Sequence, residues 1–387
     1  MSRVFPDIAP VPRMGRDFHG LNTVQHWGFF SREDLSVNPG KLLMLDVDFG
    51  RNCSLKCPWC FRRKHFADKL TQEDLSYEEL LGVIDDAREL GLQDIKICGA
   101  GEPLENQNLL RFARDLTDRN IGVAIFTKGH VIGDDIAVKH YFGRDGFTNG
   151  NDLAAAFYEL KTSFLVGFQA ATPAVQDALV GHVNGYTKKR NLGLERLANV
   201  GFNKNTPTRL AICTNPLIRQ NYEEIFDIYI YARSRNILPV VAMMMMSGEQ
   251  HSPEFISRYD VSDEDKTLLF EKIYLWNLRE GVQTTHEFLR DGPSCLPGIH
   301  PCNQIAAGLY LLANGQIVRC PGDGDGALGN FNVKRTSISE IWEHVKFWKY
   351  SGQFNCGCPF KEHKTLPMSA YDAAYRVVLQ QKSMSNR

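Results

Sequence analysis

The sequence predicts an α/β protein in which a parallel sheet carries helices on its outside, followed by a smaller α+β region. Short apolar segments alternate with amphipathic helical segments as far as residue 250. In the last third, Asn314-Gly315 separates two short apolar runs, which predicts a hairpin. A dense cysteine cluster directly follows the first predicted strand, and this favours chemistry at the carboxyl end of that strand.

Repeated strand–helix units justify the parallel sheet. The first strand is predicted at 42–48, and the helix after it at 77–90 carries apolar side chains with helical spacing and Gly91 at its end. Further strands are predicted at 94–98, 122–126, 164–168, 209–213 and 239–244, with helices near 106–120, 189–200 and 222–234. A doubly wound sheet has the same alternation, so the pattern alone leaves the strand order open.

Composition excludes several classes of protein. The 387 residues supply enough apolar material for one large domain and a smaller one. Because 44 Lys and Arg stand against 45 Asp and Glu, the net charge of −1 provides no general attraction for nucleic acid or an acidic membrane. No signal peptide or membrane span is visible. Ten cysteines without an export signal therefore favour metal or redox chemistry in the cytoplasm over disulfides.

The segment Cys53-Ser-Leu-Lys-Cys57-Pro-Trp-Cys60 places three thiols on one short loop. Such thiolate clusters hold soft metal centres, including iron–sulfur clusters. A [4Fe–4S] cube contains four irons, so three local ligands leave one iron free to chelate another molecule. A zinc site is the alternative, and His65 is its candidate fourth ligand.

The C-x3-C-x2-C loop resembles the signature of the radical S-adenosylmethionine (SAM) superfamily, in which the open iron binds the amino and carboxylate groups of SAM. The resemblance implies a partial (β/α)6 barrel and a SAM-binding [4Fe–4S] cluster on Cys53, Cys57 and Cys60. It covers about residues 42–360. The segment Cys98-Gly-Ala-Gly-Glu-Pro103 resembles the Gly-Gly-Glu-Pro motif of this family, with Ala100 replacing one glycine.

The resemblance also implies a set of cofactor-binding residues at the strand ends. Glu102 and the glycines before it hold the amino group of SAM, and Thr127-Lys-Gly129 is similar to the Thr-Asn-Gly turn of the family. Trp59 takes the position of an aromatic ring beside the adenine, with ordinary core packing as the alternative. The full implied set comprises Trp59, Gly99, Gly101, Glu102, Pro103, Thr127, Gln169 and Asn215.

A second group of cysteines lies in the last third. Cys302 and Cys320 flank the predicted hairpin, and Cys356-Gly-Cys358 follows a short helix near 339–342. This arrangement resembles the SPASM/twitch extension of radical SAM enzymes, which implies an auxiliary [4Fe–4S] cluster on Cys302, Cys320, Cys356 and Cys358. The family usually has a C-x2-C pair here, so Cys295 or an open iron is the alternative for the fourth position. A structural zinc site is the alternative for the whole set.

The predicted organisation is an N-terminal extension (1–41), a radical SAM core (42–250) and a linker with a small α+β twitch/SPASM-like domain (251–387). Residues 133–160 look like an insertion to which we assign no role. Cys98 and Cys213 fall inside apolar strands and are expected to be inert core thiols.

The resemblance implies an oxidoreductase that cleaves SAM, abstracts a hydrogen atom and passes an electron to the auxiliary cluster. The expected substrate is a small molecule such as a sugar or aminocyclitol in a biosynthetic pathway. A peptide maturase and a non-enzymatic iron–sulfur or zinc scaffold are the alternatives. The expected partners are the substrate and a flavodoxin- or ferredoxin-type electron donor, with no nucleic acid and no membrane.

Overall fold

The computed structural model describes residues 2–12, 30, 32–60, 73–242, 252–292, 303–320, 327–350 and 368–385. Six strands correspond to the predicted core: β1 (Met44–Asp48), β2 (Asp94–Gly99), β3 (Gly122–Thr127), β4 (Ser163–Gly167), β5 (Leu210–Cys213) and β6 (Leu238–Val240). They lie side by side in sequence order, and every neighbouring pair is parallel. The predicted α/β fold with a parallel core is therefore confirmed, and the strand order has no doubly wound reversal.

Helices connect and cover these strands. In chain order they are α1 (Arg32–Ser36), α2 (Tyr77–Glu89), α3 (Leu109–Asp118), α4 (Asp135–Phe142), α5 (Gly150–Glu159), α6 (Pro173–Leu179), α7 (Tyr186–Val200), α8 (Tyr222–Arg233), α9 (Pro253–Tyr259), α10 (Asp263–Arg279), α11 (Thr285–Asp291), α12 (Gln304–Ala307), α13 (Ile338–Val345) and α14 (Met368–Ser385). The Ser76 hydroxyl and the Glu79 carboxylate cap the first turn of α2 reciprocally, which explains why that helix begins at Tyr77. No helix in the described part of the chain is long and apolar enough to cross a membrane.

The segment 133–160 is the connection between β3 and β4 itself, because α4 and α5 both lie within it. Gly133 and Gly150 are the places where this connection touches its neighbours. A β-carbon on Gly133 would lie 1.7 Å from the Lys189 carbonyl oxygen, and one on Gly150 would lie 1.8 Å from the Ile132 carbonyl oxygen. Glycine at these two positions thus permits close packing of the connection, whereas a β-carbon on Gly146 would meet nothing within 4 Å.

Side chains alternate between two faces of the sheet, as the pleat requires. On β1, Leu45 and Val47 join the main apolar core, whereas Asp46 and Asp48 are buried on the opposite, inner face. The sequence pattern predicted this strand simply as an apolar segment. The two acidic residues are its main departure from that description, and they make the inner face polar beside β2.

A buried ion pair ties the inner face together. The Lys96 ammonium lies 2.9 Å from Asp46 Oδ1 and also hydrogen-bonds the Gln304 side chain, whose amide donates to Asp46 Oδ2 at 2.5 Å. Burial raises the pKa of Asp46, although the Lys96 charge opposes the rise. Because Gln304 belongs to α12, this network fastens the C-terminal region to the first two strands.

The predicted hairpin around Asn314-Gly315 is present, and it extends the same sheet. Its strands are β7 (Gly308–Leu311) and β8 (Gln316–Val318), and β9 (Ala327–Asn332) follows. Strand β7 pairs in parallel with β1, while β8 and β9 are antiparallel additions. The C-terminal strands therefore continue the core sheet beyond β1, a proximity that the sequence did not predict.

The N-terminal segment 2–12 lies against the core. The Val4 amide donates to the Ala171 carbonyl at 2.9 Å, and the ring of Phe5 stacks on Tyr231 with centroids 4.7 Å apart. The Tyr231 hydroxyl in turn donates to the Pro6 carbonyl at 2.7 Å. This part of the predicted extension therefore packs beside α8 and the end of β4.

We expect the Lys96→Met variant to be destabilised by about 3–5 kcal/mol, because it leaves Asp46 buried without its counter-charge. The free energy of unfolding is measured by urea titration. The loss of unfolding free energy in Lys96→Met should become smaller as the pH is lowered. The raised pKa of Asp46 allows this carboxyl to become neutral, and a neutral carboxyl needs no counter-charge.

The matched control is Lys189→Ala. Lys189 pairs with Asp134 at 2.7 Å but is half exposed, so its loss should cost less than about 1 kcal/mol. Equal costs for the two variants would contradict a special role for the buried pair.

Candidate active site: a cysteine-lined cavity at the strand ends

A cavity of about 490 Å³ lies at the carboxyl ends of β2 to β5, where chemistry gathers in parallel α/β proteins. The three loop cysteines, Cys53, Cys57 and Cys60, all line it. So do most of the predicted cofactor-binding residues: Trp59, Gly99, Gly101, Glu102, Thr127, Gln169 and Asn215. Pro103 is buried next to Glu102 but does not line the cavity.

The donor chemistry of the loop fits an iron–sulfur cluster. Three thiols face one cavity that is far larger than a single ion, and soft thiolate ligands suit such clusters. Within the described residues, no three His, Cys, Asp or Glu side chains converge on one metal ion. Burial raises the pKa of the Cys57 thiol, although the charge of Lys128 opposes the rise. Metal binding must therefore displace a proton from this thiol.

Backbone hydrogen bonds fasten the cysteine loop to the turn after β2. The Phe49 amide donates to the Gly99 carbonyl at 2.5 Å, the Gly101 amide to the Gly50 carbonyl at 3.2 Å, and the Glu102 amide to the Asn52 carbonyl at 2.7 Å. We call this contact between 49–52 and 99–102 the loop–turn seam. It explains why the thiols and Glu102 open into the same space.

Gly101 is required by the loop–turn seam itself. A β-carbon at this position would lie 2.0 Å from the Asn52 carbonyl oxygen. The family resemblance implied that the glycines of this turn help to hold SAM, a role in which glycine lets a ligand approach the backbone. At Gly101 the close neighbour is instead the backbone of the cysteine loop, whereas a β-carbon on Gly99 would meet nothing closer than 3.8 Å.

Glu102 is a buried carboxylate that joins the ends of β2 and β3. Its Oε2 accepts the Lys128 amide at 2.8 Å, and its Oε1 accepts the Leu104 amide at 3.1 Å and the Thr127 hydroxyl. Burial raises its pKa, although His130 and these hydrogen bonds oppose the rise. Since a carboxylate can accept about four hydrogen bonds, one acceptor position remains for a ligand in the cavity.

Lys128 brings a positive charge into the cavity, and the sequence analysis did not single it out. It occupies the middle of the Thr127-Lys-Gly129 turn, and its ammonium lies 4.2 Å from the centre of the Trp59 ring. This is a cation–π contact. The Trp59 indole also donates to the Leu179 carbonyl at 2.6 Å, so the ring is held in place at the cavity wall.

Gln169 and Asn215 are linked to each other at the ends of β4 and β5. The side-chain Nε2 of Gln169 donates to the Asn215 carbonyl at 3.1 Å. Its Oε1 accepts from the Gln176 side chain at 3.0 Å. The Arg190 guanidinium donates to the side-chain oxygen of Gln176 at 2.9 Å. Burial lowers the pKa of this arginine to about 10. The predicted ligand Gln169 thus also serves as a tie between two strands.

Cys98 and Cys213 line the cavity, which corrects the expectation that they lie within the core. They were misjudged because the strand pattern shows that a residue is enclosed but not whether it lies at the end that opens to the site. Burial raises the pKa of both thiols.

Most of the predicted auxiliary site lies outside the residues that the structure describes. Cys295, Cys302, Cys356 and Cys358 lie outside the described residues, as does His65, the fourth ligand of the alternative zinc site. Cys320 is buried shortly after β8 and does not line the cavity.

Comparison with known proteins gives one family. The sequence model of the Radical SAM superfamily matches residues 47–225. GTP 3′,8-cyclase from Campylobacter jejuni is 29% identical over 167 residues, a match that covers 43% of this chain and 48% of the cyclase. The chain thus spans about half the length of this curated relative.

Two solved structures share the fold. Streptococcus suis SuiB, crystallised with its precursor peptide SuiA, has a TM-score of 0.53 at 14% identity, covering 78% of this chain and 65% of SuiB. Histidine-tagged anSMEcpe with bound AdoMet has a TM-score of 0.52 at 14% identity, covering 80% of this chain and 83% of that one. At this identity the likeness concerns the fold alone.

We expect Gly101→Ala to lower the stability of the protein by about 1–3 kcal/mol, because the added methyl group meets backbone and the cysteine loop must move. Thermal unfolding of the iron-free protein measures the change. The control is Gly82→Ala in the exposed middle of α2, where a β-carbon meets nothing within 4 Å and alanine should stabilise the helix by up to about 1 kcal/mol. A neutral Gly101→Ala variant would refute the steric role of this glycine.

Proposed function

Because the chain belongs to the radical SAM superfamily through residues 47–225, we propose that Cys53, Cys57 and Cys60 hold a [4Fe–4S] cluster that binds SAM. When bound, the cluster supplies the electron that cleaves SAM into methionine and a 5′-deoxyadenosyl radical, which then removes a hydrogen atom from the substrate. The observation that carries this proposal is the cavity shared by the three thiols and Glu102.

The residues around the cavity have separate tasks in binding SAM. The remaining acceptor position of Glu102 receives the SAM ammonium group, and the Lys128 ammonium offers a counter-charge to a carboxylate. Trp59 provides a fixed aromatic wall, and Gln169 and Asn215 offer amide groups to the ribose or the carboxylate. Together these side chains orient SAM and limit the entry of water.

We further propose that the substrate is a small polar molecule such as a sugar or aminocyclitol. The support comes from the inner face of the sheet beside the cavity, where the Tyr310 hydroxyl donates to Asp48 and Lys96 pairs with Asp46. Asp48 Oδ1 lies only 3.8 Å from the position of a β-carbon on Gly99, which lines the cavity. These four polar residues do not line the cavity itself, but their closeness to its wall at Gly99 favours hydroxyl or amino groups on the substrate over an apolar surface.

The oxidation we propose requires an electron acceptor after hydrogen abstraction. An auxiliary [4Fe–4S] cluster bound by Cys302, Cys320, Cys356 and Cys358, in a twitch/SPASM-like region within 251–387, fills this role. Its support is the pairing of β7 with β1, which brings the hairpin before Cys320 onto the same sheet as the cysteine loop. A flavodoxin- or ferredoxin-type protein is the proposed source of the electron for SAM cleavage.

Replacing Cys53, Cys57 and Cys60 together by Ala should abolish formation of 5′-deoxyadenosine. It should retain about four of about eight irons, because each cubane contains four and the auxiliary cluster is untouched. Anaerobic reconstitution, iron analysis and chromatography of the products measure both. The control Cys98→Ser removes a cavity thiol that is not assigned as a ligand, so it should keep all the iron.

Continued SAM cleavage by the triple variant would overturn the cluster assignment. Loss of all iron, or zinc in place of the remaining iron, would overturn the auxiliary cluster. If the active wild-type protein modifies only peptides in a substrate screen, the maturase function replaces the small-molecule one.

The Glu102→Gln variant should bind SAM about ten- to hundredfold more weakly, since it loses a charge-assisted hydrogen bond worth about 1.5–3 kcal/mol. Equilibrium binding to the reconstituted protein measures the affinity. Because Glu102 also ties β2 to β3, thermal unfolding is recorded in parallel. An unchanged SAM affinity at unchanged stability would remove Glu102 from the SAM site.

A further inference from the structure

Ser54, the residue directly after Cys53, is fixed by a carboxylate from another part of the chain. Its amide donates to Glu105 Oε2 at 2.8 Å, and its hydroxyl donates to Glu105 Oε1 at 2.6 Å. Both hydrogen-bond donors of Ser54, its amide and its hydroxyl, are thus engaged by one side chain. Nothing in the sequence motifs marks Glu105 for such a contact.

Glu105 is buried behind the cysteine loop, on the turn that also carries Glu102. His130 Nε2, which follows β3, lies 3.1 Å from Glu105 Oε1 and 3.4 Å from the Ser54 hydroxyl. Burial opposes ionisation of Glu105, but the hydrogen bonds from His130 and Ser54 outweigh it and the pKa is lowered. Glu105 is therefore a carboxylate at neutral pH.

We infer that Glu105 is a positioning residue for the cluster, which holds the Cys53 end of the loop in its liganding conformation and lowers the reduction potential of the bound cluster. This inference rests on the proposed cluster site and adds a residue that controls the loop conformation and the reduction potential there. We call Glu105, Ser54 and His130 together the loop brace.

Two effects of the loop brace act on the potential in the same direction. The negative charge beside Cys53 disfavours the addition of an electron to the cluster. In addition, Glu105 accepts the Ser54 amide, so this amide is not available to hydrogen-bond a cluster sulfur. Hydrogen bonds to the sulfurs and the net charge both set the potential of such clusters, and a missing hydrogen bond lowers it. A low potential makes the reduced cluster a stronger reductant, as the cleavage of SAM requires.

Two substitutions separate charge from geometry. In Glu105→Gln the amide oxygen can still accept the Ser54 amide, while the amide nitrogen donates to the Ser54 hydroxyl and to His130 in its other tautomer. This variant should keep its iron and show a more positive midpoint potential in a redox titration followed by electron paramagnetic resonance. The control is Glu89→Gln at the exposed end of α2, which removes the same charge far from the loop and should leave the potential unchanged.

Glu105→Ala removes both the negative charge and the hydrogen bonds to Ser54, and it is tested in the iron-free protein. Hydrogen exchange of the Ser54 amide should be about ten- to hundredfold faster than in the wild type, because a charge-assisted hydrogen bond is lost. Amides of β3 serve as the internal reference for global stability. Ser54→Ala, which keeps the amide contact, should leave the midpoint potential near that of the wild type.

A wild-type potential in Glu105→Gln would overturn the electrostatic role, and unchanged exchange in Glu105→Ala would overturn the positioning role. Loss of iron from Glu105→Gln alone would also count against the inference, since its geometry is preserved. The exchange experiment needs no cluster, so a wild-type protein that fails to assemble one would refute the proposed function while still reporting on the loop brace.

Discussion

The loop–turn seam is the constraint on which the site depends. Three backbone hydrogen bonds hold residues 49–52 against 99–102, and the absence of a side chain at Gly101 permits the two backbones to meet. These hydrogen bonds fix the position of the thiol loop relative to Glu102, and apart from Gly101 they need no particular side chain. Every other residue of the cavity is placed relative to this pair of segments.

Polar side chains then join the strand ends in pairs. Glu102 links β2 to β3, Gln169 links β4 to β5, and the Asp46–Lys96 pair links β1 to β2 on the inner face. Since each of these groups is buried, leaving any of them unpaired would be costly. Glu102 and Gln169 line the cavity and also hold its walls, so this part of the site is organised before any ligand arrives.

The features that the sequence predicted are those encoded locally. Strand and helix positions follow from apolar spacing, the hairpin follows from Asn314-Gly315, and the loop cysteines are adjacent in the chain. What escaped prediction depends on contacts between distant segments. Glu105 gains its role only because β2 and the cysteine loop meet, and Lys128 only because its ammonium reaches Trp59 from another strand end.

The placement of the cavity thiols illustrates the same limit. Cys98 lies one residue before the end of β2 and Cys213 ends β5, and a periodic pattern does not distinguish the closed end of a strand from the open one. Similarly, residues 133–160 suggested an insertion, whereas they contain α4 and α5 of the β3–β4 connection, and Gly133 and Gly150 within them lie against neighbouring backbone. In both cases the residue type was informative, but the neighbour that explains it was far away in the chain.

The pairing of β1 with β7 has a consequence for how the protein is made. Residues 44–48 leave the ribosome long before residues 308–311, so during synthesis β1 has only β2 as a partner and remains an edge strand. Contacts of such long sequence separation form late. The strand that leads into the cysteine loop is therefore completed only when most of the chain has been released. A metal centre at this loop, as proposed above, would acquire its full structural support only at that stage.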